Sequence, residues 1–105
     1  MNLLKNLKQV KVGSHEFKVL FPYHFKERID LKAQTDFNEC EIRIQEVDQG
    51  GIPICESNLN VSLIHEILHN IDFVYNNQGL TEEQISRLSE GLTQVLQDNF
   101  IIFAK

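Results

Sequence analysis

A chain of 105 residues has room for one hydrophobic core and no second lobe. Its composition, 42% hydrophobic and 24% charged, is that of an ordinary soluble globular protein. With 15 acidic residues against 10 basic ones the formal net charge is −5, which argues against nucleic-acid and anionic-membrane partners.

The basic residues are scattered, with a modest cluster at Lys5, Lys8 and Lys11 and no arginine stripe. Met1 to Val12 lacks the apolar stretch of a secretory signal, and no run is long enough to span a bilayer. Cytoplasm is therefore the expected compartment. Cys40 and Cys55 lie 15 residues apart without a C-x-x-C partner. They are expected to be reduced, largely buried small hydrophobes rather than a disulfide or a thiolate metal site.

Gln9–Val12 alternates polar and apolar residues, Gly13-Ser14 turns, and His15–Phe21 resumes the alternation, so a hairpin is expected. Pro22 ends it, and Tyr23 to Ile29 reads as a short helix or loop. Ala33 to Phe37 is a second strand candidate. Cys40 to Val47 then alternates cleanly, with Cys40, Ile42 and Ile44 on one face and charge on the other, which suits a strand near a sheet edge. Asp48 to Pro53 is a loop by composition.

A helix is expected from a cap at Ser57 or Asn58 to about Asn76, with Val61, Ile64, Ile67, Leu68, Ile71 and Val74 at three/four spacing. Asn76 to Gly79 closes it. Thr81 caps a second helix from Glu82 to about Asp98, whose expected buried stripe is Ile85, Leu88, Leu92, Val95 and Leu96. Phe100–Phe103 is a short apolar end, expected to form a strand or a docked tail.

His65-Glu66-Ile67-Leu68-His69 reads H-E-x-x-H inside the first of these helices. Positions i and i+4 of an α-helix lie one above the other on the same face. Two imidazoles placed that way can share a zinc ion, while the neighbouring carboxylate handles the proton of a water activated by the metal. The alternative, two histidines on the surface of an amphipathic helix, conflicts with the apolar neighbours Ile64, Ile67, Leu68 and Ile71, among which unpartnered polar groups are costly.

A catalytic zinc usually takes three protein ligands, so one more is needed. The start of the second helix offers Glu82 and Glu83. Glu82 lies three residues before Ile85 and shares its face, whereas Glu83 is rotated by about 100° from it. Facing therefore favours Glu82 and leaves Glu83 as the alternative. Asp72, on the ligand face, is a candidate to accept the spare N–H of a ligating imidazole. Tyr23, Tyr75 and His24 carry donors of the kind that stabilise an oxyanion.

H-E-I-L-H followed by Glu82-Glu83-Gln84-Ile85 resembles the gluzincin pattern, in which H-E-x-x-H is completed by a Glu at the start of the next helix. More closely, the chain is similar to small single-domain zinc peptidase-like proteins of the ImmA/IrrE-type and phage-encoded group, whose E-x-x-A corresponds to Glu82–Ile85. The likeness covers Leu63 to Asn99, about a third of the chain. Ile85 stands where that pattern has Ala, and matching Glu83–Ser86 to the E-x-x-S of larger gluzincins selects Glu83 instead. The resemblance implies residues 1–105 as a single zincin-like metallopeptidase domain. It also implies an edge strand above the motif helix that pairs with extended substrate, a place for which the charged face of Glu41, Arg43 and Gln45 is suited.

The expected structure is thus α+β, a minimal zincin-like domain with a three- to four-stranded sheet packed on a metal-binding helix and a second, C-terminal helix. The expected chemistry is zinc-dependent hydrolysis of a peptide or protein substrate, with His65, His69 and Glu82 as ligands and Glu66 as general base. The alternative is an idle or latent zinc-binding interaction or regulatory module of phage-type origin. Substrate identity and oligomeric state are not encoded in any motif.

Overall fold

In a computed structural model, which describes Leu4, residues 7–26 and residues 31–99, four strands are followed by two helices. These are β1 (Gln9–Val12), β2 (His15–Leu20), β3 (Ala33–Asp36), β4 (Glu41–Ile44), α1 (Glu56–Tyr75) and α2 (Glu82–Asn99). The apolar end Phe100–Phe103 and part of the segment Tyr23–Ile29 lie outside the described residues.

β1 and β2 form the expected antiparallel hairpin, with Val12 opposite His15. Gly13 occupies the first central turn position at φ 61°, a conformation that glycine adopts without steric cost. A Cβ on Gly13 would also lie 2.8 Å from Val74 Cγ1, so the turn packs directly against the end of α1. β2 pairs in parallel with β4, and β3 pairs antiparallel with β4 on its other side. The strand order β1-β2-β4-β3 makes a mixed sheet with β3 as one edge.

That order corrects the expectation for the segment after Cys40. β4 is an interior strand and shorter than the alternation implied, because Cys40 turns at φ 55° and the ladder ends at Ile44. Its charged face is tolerated because charges compensate across strands. Arg43 donates to Gln34 (3.1 Å), Asp36 (3.1 Å) and Glu41 (2.7 Å), and its guanidinium lies 5.6 Å from the Tyr23 ring centre. Asp36 is held below its ordinary pKa, first by the Glu39 backbone N–H and also by Arg43.

The opposite face of the sheet contributes Val12, Phe17, Val19, Ile42 and Ile44 to the core, which meets Leu59, Leu63 and Ile64 of α1. Full burial of such a side chain contributes roughly 1.5–3 kcal/mol. α1 has the sheet on one side and α2 on another. This double coverage explains why no single apolar stripe describes it. Of the expected series only Ile64 is fully buried, Ile71 is exposed, and Asn60, Glu66, Asn70 and Asp72 are buried with the apolar residues.

Local details also depart from expectation. α1 starts at Glu56 after an extended Cys55 that makes no side-chain cap bond, so Ser57 and Asn58 sit inside the first turn. Cys55 is exposed and Cys40 half-buried, so neither is the buried hydrophobe expected. On α2 the buried face is Ile85, Ser89 and Thr93, while Leu88, Leu92 and Val95 are exposed. Small hydroxyl residues let the helices approach closely. Their hydroxyls stay bonded within the helix, Ser89 to Ser86 O (2.8 Å) and Thr93 to Ser89 O (2.6 Å), which makes their burial affordable in energy. Among the described residues no helix is long and apolar enough to cross a membrane.

Candidate metal centre

His65 and His69 emerge from α1 at the seam where β3, α1 and the first turn of α2 meet. Their Nε2 atoms are 3.1 Å apart, as one helical turn on a shared face dictates. Glu82 reaches both: Oε1 lies 2.7 Å from His65 Nε2, and Oε2 lies 2.9 Å from His69 Nε2. One ligand atom from each of the three residues falls within 4.8 Å of the others.

With Glu82 ionised, protons alone leave this cluster in conflict. If both imidazoles carry hydrogen on Nε2, the contact between the rings sets donor against donor. If only one does, a lone pair of the other ring faces the Glu82 carboxylate. A divalent cation among two nitrogen lone pairs and a carboxylate removes the conflict, and the N, N, O donor set is one that zinc accepts. The residues therefore fit a zinc ion.

Glu82 is delivered to this point by the connector between the helices. Asp72 anchors it: the carboxylate accepts from Asn76 Nδ2 (2.9 Å) and from the Leu80 N–H (3.2 Å), while its carbonyl accepts from the N–H groups of Asn76 and Gln78. Next, Thr81 Oγ1 accepts from the Gln84 N–H (3.1 Å), and Gln84 Oε1 accepts from the Thr81 N–H (2.8 Å). This reciprocal capping box starts α2 with Glu82 as its first residue. Glu83, one position on, turns away and pairs with Arg87 on the exposed surface.

The expectation that Asp72 orients an imidazole is thus corrected. Its carboxylate is committed to the connector, because the chain folds back over it directly after α1 ends. Removing it leaves the half-buried Leu80 amide without that partner. Asp72→Ala is expected to cost about 1–3 kcal/mol of stability, read as a lowered melting temperature.

Glu66 points to the other side of the histidine row, into the space under β3, and only 6% of it is exposed. Burial pushes its carboxyl pKa up. The Thr35 hydroxyl and the neighbouring His69 act in the opposite direction, and Glu82 adds to the rise. Thr35 Oγ1 donates to Glu66 Oε1 at 2.8 Å, holding one oxygen and leaving the other for the cavity. Thr35 carries a role that sequence reading missed. Its signal was the alternation of Ala33, Thr35 and Phe37, which puts a hydroxyl on the helix side of a strand. Should the cluster serve metal-assisted hydrolysis, Thr35→Val is expected to reduce turnover roughly tenfold, about the contribution of one hydrogen bond to a charged group, with metal content by elemental analysis unchanged.

The four motif residues share an open cavity of about 340 Å³ with β3 and Phe37. A second cavity of about 300 Å³ continues it past Ala33 toward Lys32, Val61 and Ser62. Tyr23 and His24 instead line a separate cavity with Arg43, and Tyr75 is largely exposed at the far end of α1. None of the three candidate oxyanion donors is brought to the histidines.

β3, rather than the strand beginning at Cys40, is the edge beside the motif helix. The Gln45 N–H donates to Lys32 O, and Gln34 faces Arg43 in the same register. Positions 32, 34 and 36 therefore bond inward, and Ala33 and Thr35 turn their N–H and C=O outward from the sheet.

Comparison of the chain with protein-family models, curated proteins and solved structures finds no match.

Proposed function

We propose that this chain is a zinc-dependent peptidase of minimal zincin-like build, acting on peptide or protein substrates in the cytoplasm. The observation that carries the reading is the convergence of His65, His69 and Glu82 beside a buried Glu66 held by Thr35. An acid–base carboxylate next to a three-ligand cluster is the set that metal-assisted amide hydrolysis requires.

His65, His69 and Glu82 would hold the ion. When bound, zinc lowers the pKa of water from 15.7 to about 7 and polarises a carbonyl. Glu66 would accept the proton of the attacking water on its free oxygen and pass it to the departing amine. Thr35 keeps that carboxylate in one orientation through the transfer. The outward amides and carbonyls of Ala33 and Thr35 bind an extended peptide as an added strand, which sets its backbone across the histidine row.

The test is hydrolysis of a mixed peptide library by the purified chain. Stoichiometric zinc by elemental analysis, cleavage that stops with a chelator and cleavage that returns on adding zinc are the expected results. A protein that neither contains nor takes up a transition metal would overturn the proposal.

A further inference from the structure

Along α1 the residues four apart, Val61, His65, His69 and Phe73, form one row, and β3 runs beside it toward Phe37. The two ends of the groove differ. Near Val61 and Ser62 it is bordered by Leu31, Lys32 and Ala33, an aliphatic and cationic margin without an aromatic ring. At the other end stands Phe37, the one large apolar side chain lining the cavity that holds the motif residues. Phe37 is stacked on Phe73 at 4.1 Å between ring centres and 15° between planes, and it meets Phe17 edge-on at 6.5 Å. Phe73 itself remains 42% exposed.

We propose that Phe37, backed by Phe73, is a side-chain subsite that selects peptides bearing a large apolar residue, aromatic above all, beside the bond to be cleaved. This rests on the peptidase reading. A strand added to β3 points alternate side chains toward α1, the side on which Phe37 stands. A side chain at that end of the groove meets a ring fixed by two aromatic neighbours, so its contact surface is preorganised. Aromatic rings gain from offset or edge contact with such a face beyond simple burial, while a charged side chain loses hydration there. The rest of the cavity lining, Ala33, Gln34 and Thr35 with the histidines and glutamates, offers no comparable apolar surface.

The test separates recognition from turnover. Zinc-loaded Glu66→Gln protein is titrated calorimetrically with blocked hexapeptides of alanine and serine carrying one central Phe, Leu, Lys or Ala. The Phe peptide is expected to bind roughly tenfold more tightly than the Ala parent, Leu to fall between them and Lys to gain nothing. Phe37→Ala in the same protein should erase the difference between Phe and Ala peptides, with zinc stoichiometry and melting temperature reporting on folding. If the alanine variant loses its fold along with its contacts to Phe17 and Phe73, Phe37→Leu replaces it, and the Phe peptide's lead over Leu should vanish.

Equal affinity for all four peptides, no binding of any, or a Phe preference that survives both Phe37 substitutions would each overturn the subsite. Phe-dependent binding by a wild-type protein that cleaves nothing would defeat the peptidase reading and leave the subsite standing. Cleavage without any apolar preference would do the reverse.

Discussion

Glu66→Gln is expected to lower peptide hydrolysis by about 10²–10⁴-fold while the protein binds zinc as before. The substitution keeps the side chain's shape and its carbonyl oxygen, which still accepts the Thr35 hydroxyl that lies 2.8 Å from Glu66 Oε1 in the native chain. It removes the ability to take up and return a proton at the cavity. Stability should not fall. Glu66 is buried and its pKa is raised first by that burial, so the native ionised form carries a desolvation cost that an amide avoids. The melting temperature is expected to hold or rise, which separates lost chemistry from lost fold. A variant that still cleaves at the wild-type rate would remove Glu66 from the proton path and favour a zinc-held binding module.

The parts of this protein that were legible in its sequence are those set by local rules. The Gly13 turn, the Thr81 cap and the one-turn spacing of His65 and His69 depend on neighbours within a few residues, and each forms where its residues stand. What escaped depends on tertiary placement. Alternation after Cys40 marks a strand near the sheet edge correctly but says nothing of its neighbours, so it does not show that β3 lies outside it as the edge itself. The charge that suggested an edge is balanced by Glu41 on the same strand and by Asp36 on β3, the latter a pairing fixed by register rather than by local pattern. Periodicity on α2 likewise selected its largest apolar residues. The helix instead turns Ser89 and Thr93 inward with Ile85, and hydroxyl bonds to carbonyls of their own helix make that burial tolerable. Asp72 was placed on the ligand face by helical geometry, yet the connector folding over it supplied better donors than an imidazole.

Removal of Glu82 separates the two ways of completing the histidine pair. Glu82→Ala is expected to weaken zinc binding by more than the 10–100-fold that loss of an outer partner typically costs, because a direct ligand is lost. Glu83→Ala should leave zinc affinity unchanged. The two side chains are well matched as a comparison, being 66% and 70% exposed and adjacent on the same turn. Glu83 contributes little to folding: it pairs with Arg87 on the surface, where such pairs contribute at most about 1 kcal/mol. The thermodynamic readout is the gain in stability on adding metal. At a zinc concentration 100 times the native Kd, the wild type and Glu83→Ala should each gain about 2.7 kcal/mol. With Kd weakened 100-fold, Glu82→Ala at that same concentration gains only about 0.4 kcal/mol, a difference that thermal melts resolve. The opposite result, with Glu83→Ala losing the gain, would mean that α2 turns by about 100° when metal binds, since that is the angle separating consecutive residues on a helix. The buried face of α2 opposes such a turn, because it would carry Ile85, Ser89 and Thr93 out of their packing to bring Glu83 onto the histidines.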